Sequence, residues 1–370
     1  MKLHRFGSTL ALAATFSLAL SACGDDTPTA TGTDSGSGST AEGDMTGSLK
    51  ASGASSQNSA MTSWIAGYQS LQPGVTVTYD AIGSGGGREN FLAGAVDLAG
   101  SDAFLDDKEA ESAKEACGDG GALNIPVYIS PVAIPYNLPG VDTLNIKPDV
   151  LAQIFDQKIT KWNDPALAAD NPDVELPDMD ITVVNRSDES GTTENFMEYL
   201  AAAAPDAWSY DADKVWPVSG GEAAAQTTGV IQVVGSTEGA IGYSDASAIG
   251  DLSTAAIGVG GEFTEYSAEG AAKVVDASEP VDTGIDGDLA LDLARDTTES
   301  GAYPIVLVSY HIVCTEYDDA AKADVVKDFV GYVISPEGQD EAAAAAGSAP
   351  ISEDLRTQAK DSLELVKGSN

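Results

Sequence analysis

The residues best suited to chemistry lie at 182–197, which read TVVNRSDESGTTENFM. Residues 181–184 form a β-branched run that predicts a strand, and 192–204 have helix-forming composition, so the polar residues between them form a strand-to-helix loop. Ser190 or Gly191 falls at the helix N-cap. The first backbone N–H groups of a helix lack internal partners and the positive end of its dipole faces outward, so an anion can be held there without a lysine. Arg186 adds a planar fork of donors suited to a tetrahedral oxyanion, and Gly191, without a Cβ, lets backbone approach a ligand closely. An ordinary capped helix with a surface arginine is the alternative, and this loop alone leaves both readings open.

Two further loops repeat the pattern. Residues 49–52 predict a strand followed by Gly53-Ala54-Ser55-Ser56-Gln57-Asn58 and a helix with Met61, Trp64, Ile65 and Tyr68 on one face, which makes Ser55 and Ser56 candidate donors. Residues 75–79 alternate as a strand and lead through Ile82-Gly83-Ser84-Gly85-Gly86-Gly87-Arg88 into a third helix start. These glycines do not make G-x-G-x-x-G and no P-loop Lys-Ser/Thr follows, which argues against a nucleotide site. Asp102 ends a short strand at 95–100, a position usually taken by a cap for the helix that follows, here from Asp106. Only two histidines occur, His4 and His311. A histidine metal cluster or a Ser-His-Asp triad would rest on His311 alone, and a single His inside V-S-Y-H-I-V reads as structural.

The elements that must position these loops belong to an exported chain. Lys2, His4 and Arg5 precede an apolar run at 10–20 that is too short to span a bilayer, so residues 1–22 read as a signal peptide. Leu20-Ser21-Ala22-Cys23 resembles the lipobox of bacterial lipoproteins and implies cleavage before an acylated Cys23, with a plain signal peptide and an incidental cysteine as the alternative. Residues 23–47 are a Gly, Ser, Thr, Asp and Pro tether with almost nothing to bury. Its random-coil reach is roughly 5–6 Å × √24, about 27 Å. With Cys23 assigned to lipid, Cys117 and Cys314 remain as a disulfide or as two buried thiols, and the exported setting favours the disulfide.

The formal charge is −40, and −42 without Lys2 and Arg5, with no basic tract, so nucleic acid is not an expected partner. Such acidity describes a solvated exterior, and a small anion would have to be held by local donors. Further along, the apolar runs at 123–129 and 132–136, split by Pro126 and Pro131, suit crossings between lobes or a prolonged edge strand. Residues 150–155 predict a short helix and Trp162 a packing position. Gly220-Gly221 precede an alanine-rich helix towards Val234, 239–243 predict a buried strand, and 273–275 look strand-like inside an acid-rich region at 250–288 that has no clear assignment. The run at 303–313 is the longest apolar stretch of the mature chain and suits a strand in a sheet core. Helices are predicted around 326–333, 339–346 and 355–366.

Taken together, Gly53-Ala54-Ser55, the I-G-S-x-G-G core at 82–87, Ser101-Asp102-Ala103, K-I-T-K-W-N-D-P at 158–165, R-x-D-x-S-G-T at 186–192, Gly239-Ala240-Ile241-Gly242-Tyr243 and Tyr303-Pro304-Ile305 resemble the phosphate-binding protein of bacterial phosphate-specific ABC importers. The resemblance runs over residues 49–352. It implies an α/β, two-lobed periplasmic-binding-protein fold of type II, each lobe a mixed sheet flanked by helices, with lobe one from 48–129 plus 303–370 and lobe two from 130–302. It further implies a phosphate site made by Ser55, Ser56, Ser84, Asp102, Arg186, Ser190, Gly191 and Thr192. Two departures stand out: relatives commonly carry Thr-Phe where this chain has Ser55-Ser56, and some carry a second basic residue where it has Asn185. Arg186 would be partly neutralised by Asp102 or Asp188.

The implied function is capture of inorganic phosphate, without cofactor, metal or catalysis, and its delivery to the permease and ATPase subunits of an importer from the extracellular face of the bacterial membrane, with the lipid as anchor. A binder of sulfate or molybdate is the nearest rival, and Asp102 argues against it. A secreted phosphatase is disfavoured by the scarcity of histidine, and a cell-surface interaction protein is opposed only by the intact site residues.

Overall fold

The longest apolar run becomes the strand Val306–Cys314, buried along its whole length near the centre of a six-stranded sheet. In this computed structural model, which describes Gly43 and residues 45–369, the sheet runs in the order Ser244–Asp245, Ala122–Ala133, Val306–Cys314, Leu98–Ser101, Gly47–Gly53, Val75–Asp80. The signal peptide, Cys23 and all but the end of the tether lie outside the described residues. Val306–Cys314 is antiparallel to both neighbours, whereas Gly47–Gly53 is parallel to both of its own. A strand covered on both faces reads as continuous apolar sequence, which is what this one does.

Its pairing with Ala122–Ala133 breaks once. Ser309 faces Tyr128 but Tyr310 faces Pro126, so Val127 is the extra residue of a β-bulge. Proline cannot donate to a ladder and is tolerated inside a sheet at such irregularities. The two apolar runs at 123–136 therefore make one long strand up to Ala133 and a second, Pro135–Asn137, in the other sheet. That sheet has five strands in the order Ser253–Thr254, Pro135–Asn137, Ala240–Gly242, Thr182–Arg186, Glu222–Ala224. The backbone crosses between the sheets at Ile134 and again at Tyr243, both buried. Helices flank both sheets, giving the two-lobed α/β architecture.

Several local expectations need correction. The glycine run is not a loop but the first turns of the helix Ser84–Leu92. Residues 273–275 belong to the helix Ala268–Asp276, whose N-cap Ser267 accepts from Gly270 N; the two valines face the core rather than alternating. After Gly220-Gly221 a short strand pairs parallel with Thr182–Arg186 before the helix Gln226–Ser236 begins. Asp102 caps nothing: the helix Asp107–Cys117 is capped by Asp106 in a reciprocal box with Glu109. Trp162, by contrast, is the packing residue expected, fully buried, with its indole N–H donated to Gly239 O at 3.0 Å.

Cys117 and Cys314 are joined by a disulfide with a Cα–Cα distance of 4.8 Å, tying the end of Asp107–Cys117 to the end of the central strand. Peptide mapping without reduction should recover this linked pair, and Cys314→Ser should lower unfolding stability by about 2–5 kcal/mol. Two alkylatable thiols in the native protein would contradict the link.

His311 is fully buried, edge-on to Trp64 at 5.7 Å and stacked on Phe329 at 6.0 Å, and neither ring nitrogen has a hydrogen-bond partner among the described residues. Burial pushes its pKa down to about 3. The fold thus requires the neutral ring, so this contribution to stability is complete above the unfolded value of 6.5 and is lost as pH falls towards 3. At about 1.4 kcal/mol per unit, acidifying from neutral to about pH 4 should cost the wild type on the order of 3 kcal/mol more than His311→Leu. Denaturant titrations of both proteins read this difference, and a gap that does not change with pH would remove His311 from the account.

Candidate functional site

Every serine, threonine and glycine expected at the site sits at or just before a helix start, because strand-to-helix turns leave polar side chains and unpaired N–H groups on one side of the sheets. Ser55 and Ser56 precede Asn58–Leu71, Ser84 opens Ser84–Leu92, and Ser190 caps Gly191–Ala203 by accepting from Thr193 N at 3.2 Å. A fourth helix start, not foreseen, joins them: Thr227 in Gln226–Ser236 donates its N–H to Ser55 Oγ at 3.1 Å, and the two hydroxyls lie 2.9 Å apart. The strand, turn and helix sequence at 222–227 carried the signal that would have found it.

These starts meet closely. A Cβ on Gly191 would lie 2.7 Å from Asp102 Cβ and 2.7 Å from Ser84 Oγ, so only glycine allows this approach. Gly83 has φ of +100° and a Cβ there would lie 2.7 Å from the Asp188 carboxylate. Both glycines are set by backbone fit.

Asp102 is the meeting point. Its Oδ1 accepts from Ser56 Oγ at 2.6 Å and Ser309 Oγ at 2.6 Å, and its Oδ2 from Ser56 Oγ at 2.8 Å and Thr192 Oγ1 at 2.9 Å. Its backbone N–H donates to Ser84 Oγ at 3.1 Å, and its carbonyl accepts from Asn195 Nδ2 at 2.6 Å. Asn195 also donates to Gly191 O at 2.8 Å and is held in place by Arg295. Ser56, one of the candidate donors, thus directs its hydroxyl to Asp102.

Arg186 is buried, and its Nε donates to Asp188 Oδ1 at 2.8 Å while Nη2 donates to Oδ2. Burial alone would raise the Asp188 pKa, but the hydrogen bonds and charge of Arg186, with the N–H of Gln226, hold it below the usual carboxylate range. Of the two partners expected for Arg186, the structure selects Asp188. Tyr243 fixes the arginine's backbone: its hydroxyl accepts from Arg186 N at 3.2 Å and lies 2.7 Å from Thr193 Oγ1. Burial pushes that phenol up to about 12, so it stays neutral. With one cation against two carboxylates at the centre, the site is not a positive pocket. Its capacity to hold an anion comes from oriented hydroxyls, helix starts and the guanidinium's remaining N–H groups.

At the edge, Arg88 is buried and bonds Glu109 and Ser101 Oγ, with Glu194 at 3.6 Å across the cleft. Lys214 reaches Glu189 at 3.0 Å and Glu109 at 3.4 Å. Burial pushes Glu194 up to about 7, against the opposing pull of Arg88. Among the described residues no group of three His, Cys, Asp or Glu is arranged to hold a metal ion, and no helix is long and apolar enough to cross a membrane. Sequence reasoning did not single out Gln57, Asn195, Thr227, Tyr243 or Ser309, although Asn195 lies within the stretch at 182–197.

The model of the PBP superfamily domain matches residues 29–337. Among curated proteins the chain is 39% identical over 342 residues to phosphate-binding protein PstS3 of Mycobacterium bovis, covering 89% of this chain and 90% of that one. It is 35% identical over 379 residues to PstS2 of the same organism, covering 99% and 100%. Among solved structures it resembles a high-affinity periplasmic phosphate-binding protein bound with phosphate, at TM-score 0.70 and 20% identity over 85% of this chain and 93% of that one. A phosphate-binding protein from Stenotrophomonas maltophilia gives TM-score 0.66 at 20% identity over 85% and 93%. The structural likeness supports the fold, and the family match and the identity to the curated relatives carry the assignment: the chain belongs to the PBP superfamily and, within it, to the family of the PstS phosphate-binding proteins.

Proposed function

We propose that the chain captures inorganic phosphate between its lobes and delivers it to the permease and ATPase subunits of an ABC importer, catalysing nothing itself and using no cofactor. The observation that carries this reading is that Arg186 and the start of Gly191–Ala203 on one lobe face Asp102 on the other, with the starts of Asn58–Leu71 and Ser84–Leu92 beside that acceptor. Phosphate near neutral pH both accepts and donates, and this arrangement suits both roles. The ligand set is Ser55, Ser56, Ser84, Asp102, Arg186, Ser190, Gly191 and Thr192. Lobe one is built on 48–129 plus 303–370, with its strand running on to Ala133 and Ser244–Asp245 pairing at its edge, and lobe two on the rest of 130–302; crossings near Ile134 and Tyr243 join them, and phosphate closes one lobe on the other. An acylated Cys23 and the 23–47 tether hold the body at the extracellular face of the bacterial membrane.

Calorimetric titration with phosphate, sulfate and arsenate, on protein unfolded and refolded to strip bound anion, tests the reading directly. Failure to bind phosphate would end it, and release of inorganic phosphate from a chromogenic monoester would favour the phosphatase alternative. Arg186→Ala should weaken phosphate binding by about 2–5 kcal/mol, the range for removing one partner of a buried charged pair. Binding within a few-fold of wild type would take Arg186 out of the site.

Asp102 supplies discrimination against sulfate. Sulfate has no proton to offer, so an acceptor-only carboxylate must face it unpaired, whereas phosphate can donate to it. A site built around a ligand hydroxyl rejects the analogue that lacks it by roughly 10⁴–10⁵. The amide of Asp102→Asn can donate, so in that variant the phosphate-to-sulfate ratio should fall. Competition titrations read the ratio, and an unchanged value would show that Asp102 does not sense the ligand proton.

A further inference from the structure

A carboxylate offers about four acceptor positions. At Asp102 three hydroxyl protons occupy them in part: one from Ser56, shared between the two oxygens, one from Thr192 on Oδ2 and one from Ser309 on Oδ1. One position is left for a proton carried by a ligand. Ser56 and Thr192 belong to helix starts that line the cleft. Ser309 approaches from behind, from the fully buried central strand Val306–Cys314, beside the bulge that displaces Tyr310 from its regular register.

A hydroxyl can turn either way, and Gln57 decides which way this one turns. Gln57 Nε2 lies 2.6 Å from Ser309 Oγ and 3.2 Å from the carbonyl oxygen of Tyr310. A carbonyl can only accept, so the amide nitrogen, and not the amide oxygen, faces this pair. The nitrogen donates into the Ser309 oxygen, and the Ser309 proton is directed to Asp102. Gln57 and Ser309 are both fully buried, so water does not compete for either.

We propose that Ser309 and Gln57 are positioning residues for anion selectivity, filling the rear of Asp102 so that a single acceptor position remains for the proton of the ligand. The inference rests on the phosphate-capture reading. When the Ser309 proton is removed, the rear of Oδ1 becomes a buried acceptor without a partner, which is costly. With its rear no longer filled the carboxylate is free to turn, so it no longer holds one fixed acceptor position against an oxyanion that has no proton, such as sulfate.

The experiment titrates wild type, Ser309→Ala, Ser309→Thr and Gln57→Glu with phosphate and with sulfate at about pH 7. Ser309→Ala should lower the phosphate-to-sulfate ratio by about tenfold or more. Ser309→Thr keeps the hydroxyl and should keep the ratio. Gln57→Glu offers a carboxylate that draws the Ser309 proton away, so it should lower the ratio as alanine does without altering any side chain that lines the cleft, and it decides the matter alone if Ser309→Ala does not fold. Ratios matching wild type in both Ser309→Ala and Gln57→Glu would overturn the proposal, as would an equal fall in Ser309→Thr, which would mark a packing effect. Wild type that binds no phosphate would defeat the phosphate reading and this proposal together, whereas wild type that binds it with unmoved ratios would defeat this proposal alone.

Discussion

A carboxylate buried between two sheets sets the terms for the rest of this molecule. Removing an ion from water costs several kcal/mol unless hydrogen bonds replace its hydration. Asp102 obtains those bonds from Ser56, Thr192 and Ser309, three side chains carried by two helix starts and the central strand. The strand Leu98–Ser101 delivers the carboxylate, and Gly191 lets the helix that bears Thr192 come close enough to reach it. The bulge beside Pro126 sits next to the third donor. Features that look unrelated in the chain, a glycine after a serine and a proline inside a buried strand, therefore lie around one buried charge.

The same balance explains how so acidic a chain can hold an anion. Exposed charges more than about 8 Å away are largely screened at physiological ionic strength, so the formal −40 of the whole chain bears little on the site. Locally Arg186 is paired with Asp188 and Arg88 with Glu109, so neither arginine is a free positive charge. What remains are oriented dipoles and hydroxyls, which can hold an anion by geometry rather than by net charge. Such donors suit either of two anions of the same shape, and Asp102 is the one acceptor among them that a ligand proton would meet.

The alternation of strands and helices, the three polar loops and the central apolar strand were legible because each rests on local periodicity and composition. The cysteine pair was legible because an exported setting favours oxidation of two remaining thiols. Local reasoning failed where a residue's partner is distant in sequence. Gln57 meets Ser309 across 252 positions and Ser55 meets Thr227 across 172, and nothing near either member announces the other. Asp102 shows the opposite difficulty: a general preference for capping aspartates pointed to the following helix, yet Asp106 fills that role and frees Asp102 for the cleft. The valines at 274 and 275 misled because β-branched residues suggest a strand, and the Ser267 cap with the buried helix face outweighed that preference.

The second crossing between the sheets bears on how site and fold are coupled. Tyr243 lies between Ala240–Gly242 in one sheet and Ser244–Asp245 in the other, so any rotation of one sheet against the other must pass through its backbone. Its hydroxyl accepts the N–H of Arg186 and meets Thr193 in the first turn of the helix that carries Thr192. The phenol ring packs on Phe196, with centroids 4.6 Å apart, which leaves it little freedom to swing aside. Arg186 and Thr192 are thereby fixed to the crossing rather than to a mobile loop, while Asp102 belongs to the opposite sheet. A rotation at the crossing moves Arg186 and the start of Gly191–Ala203 relative to Asp102 and the two helix starts beside it, so the spacing of these groups and the opening between the sheets are coupled.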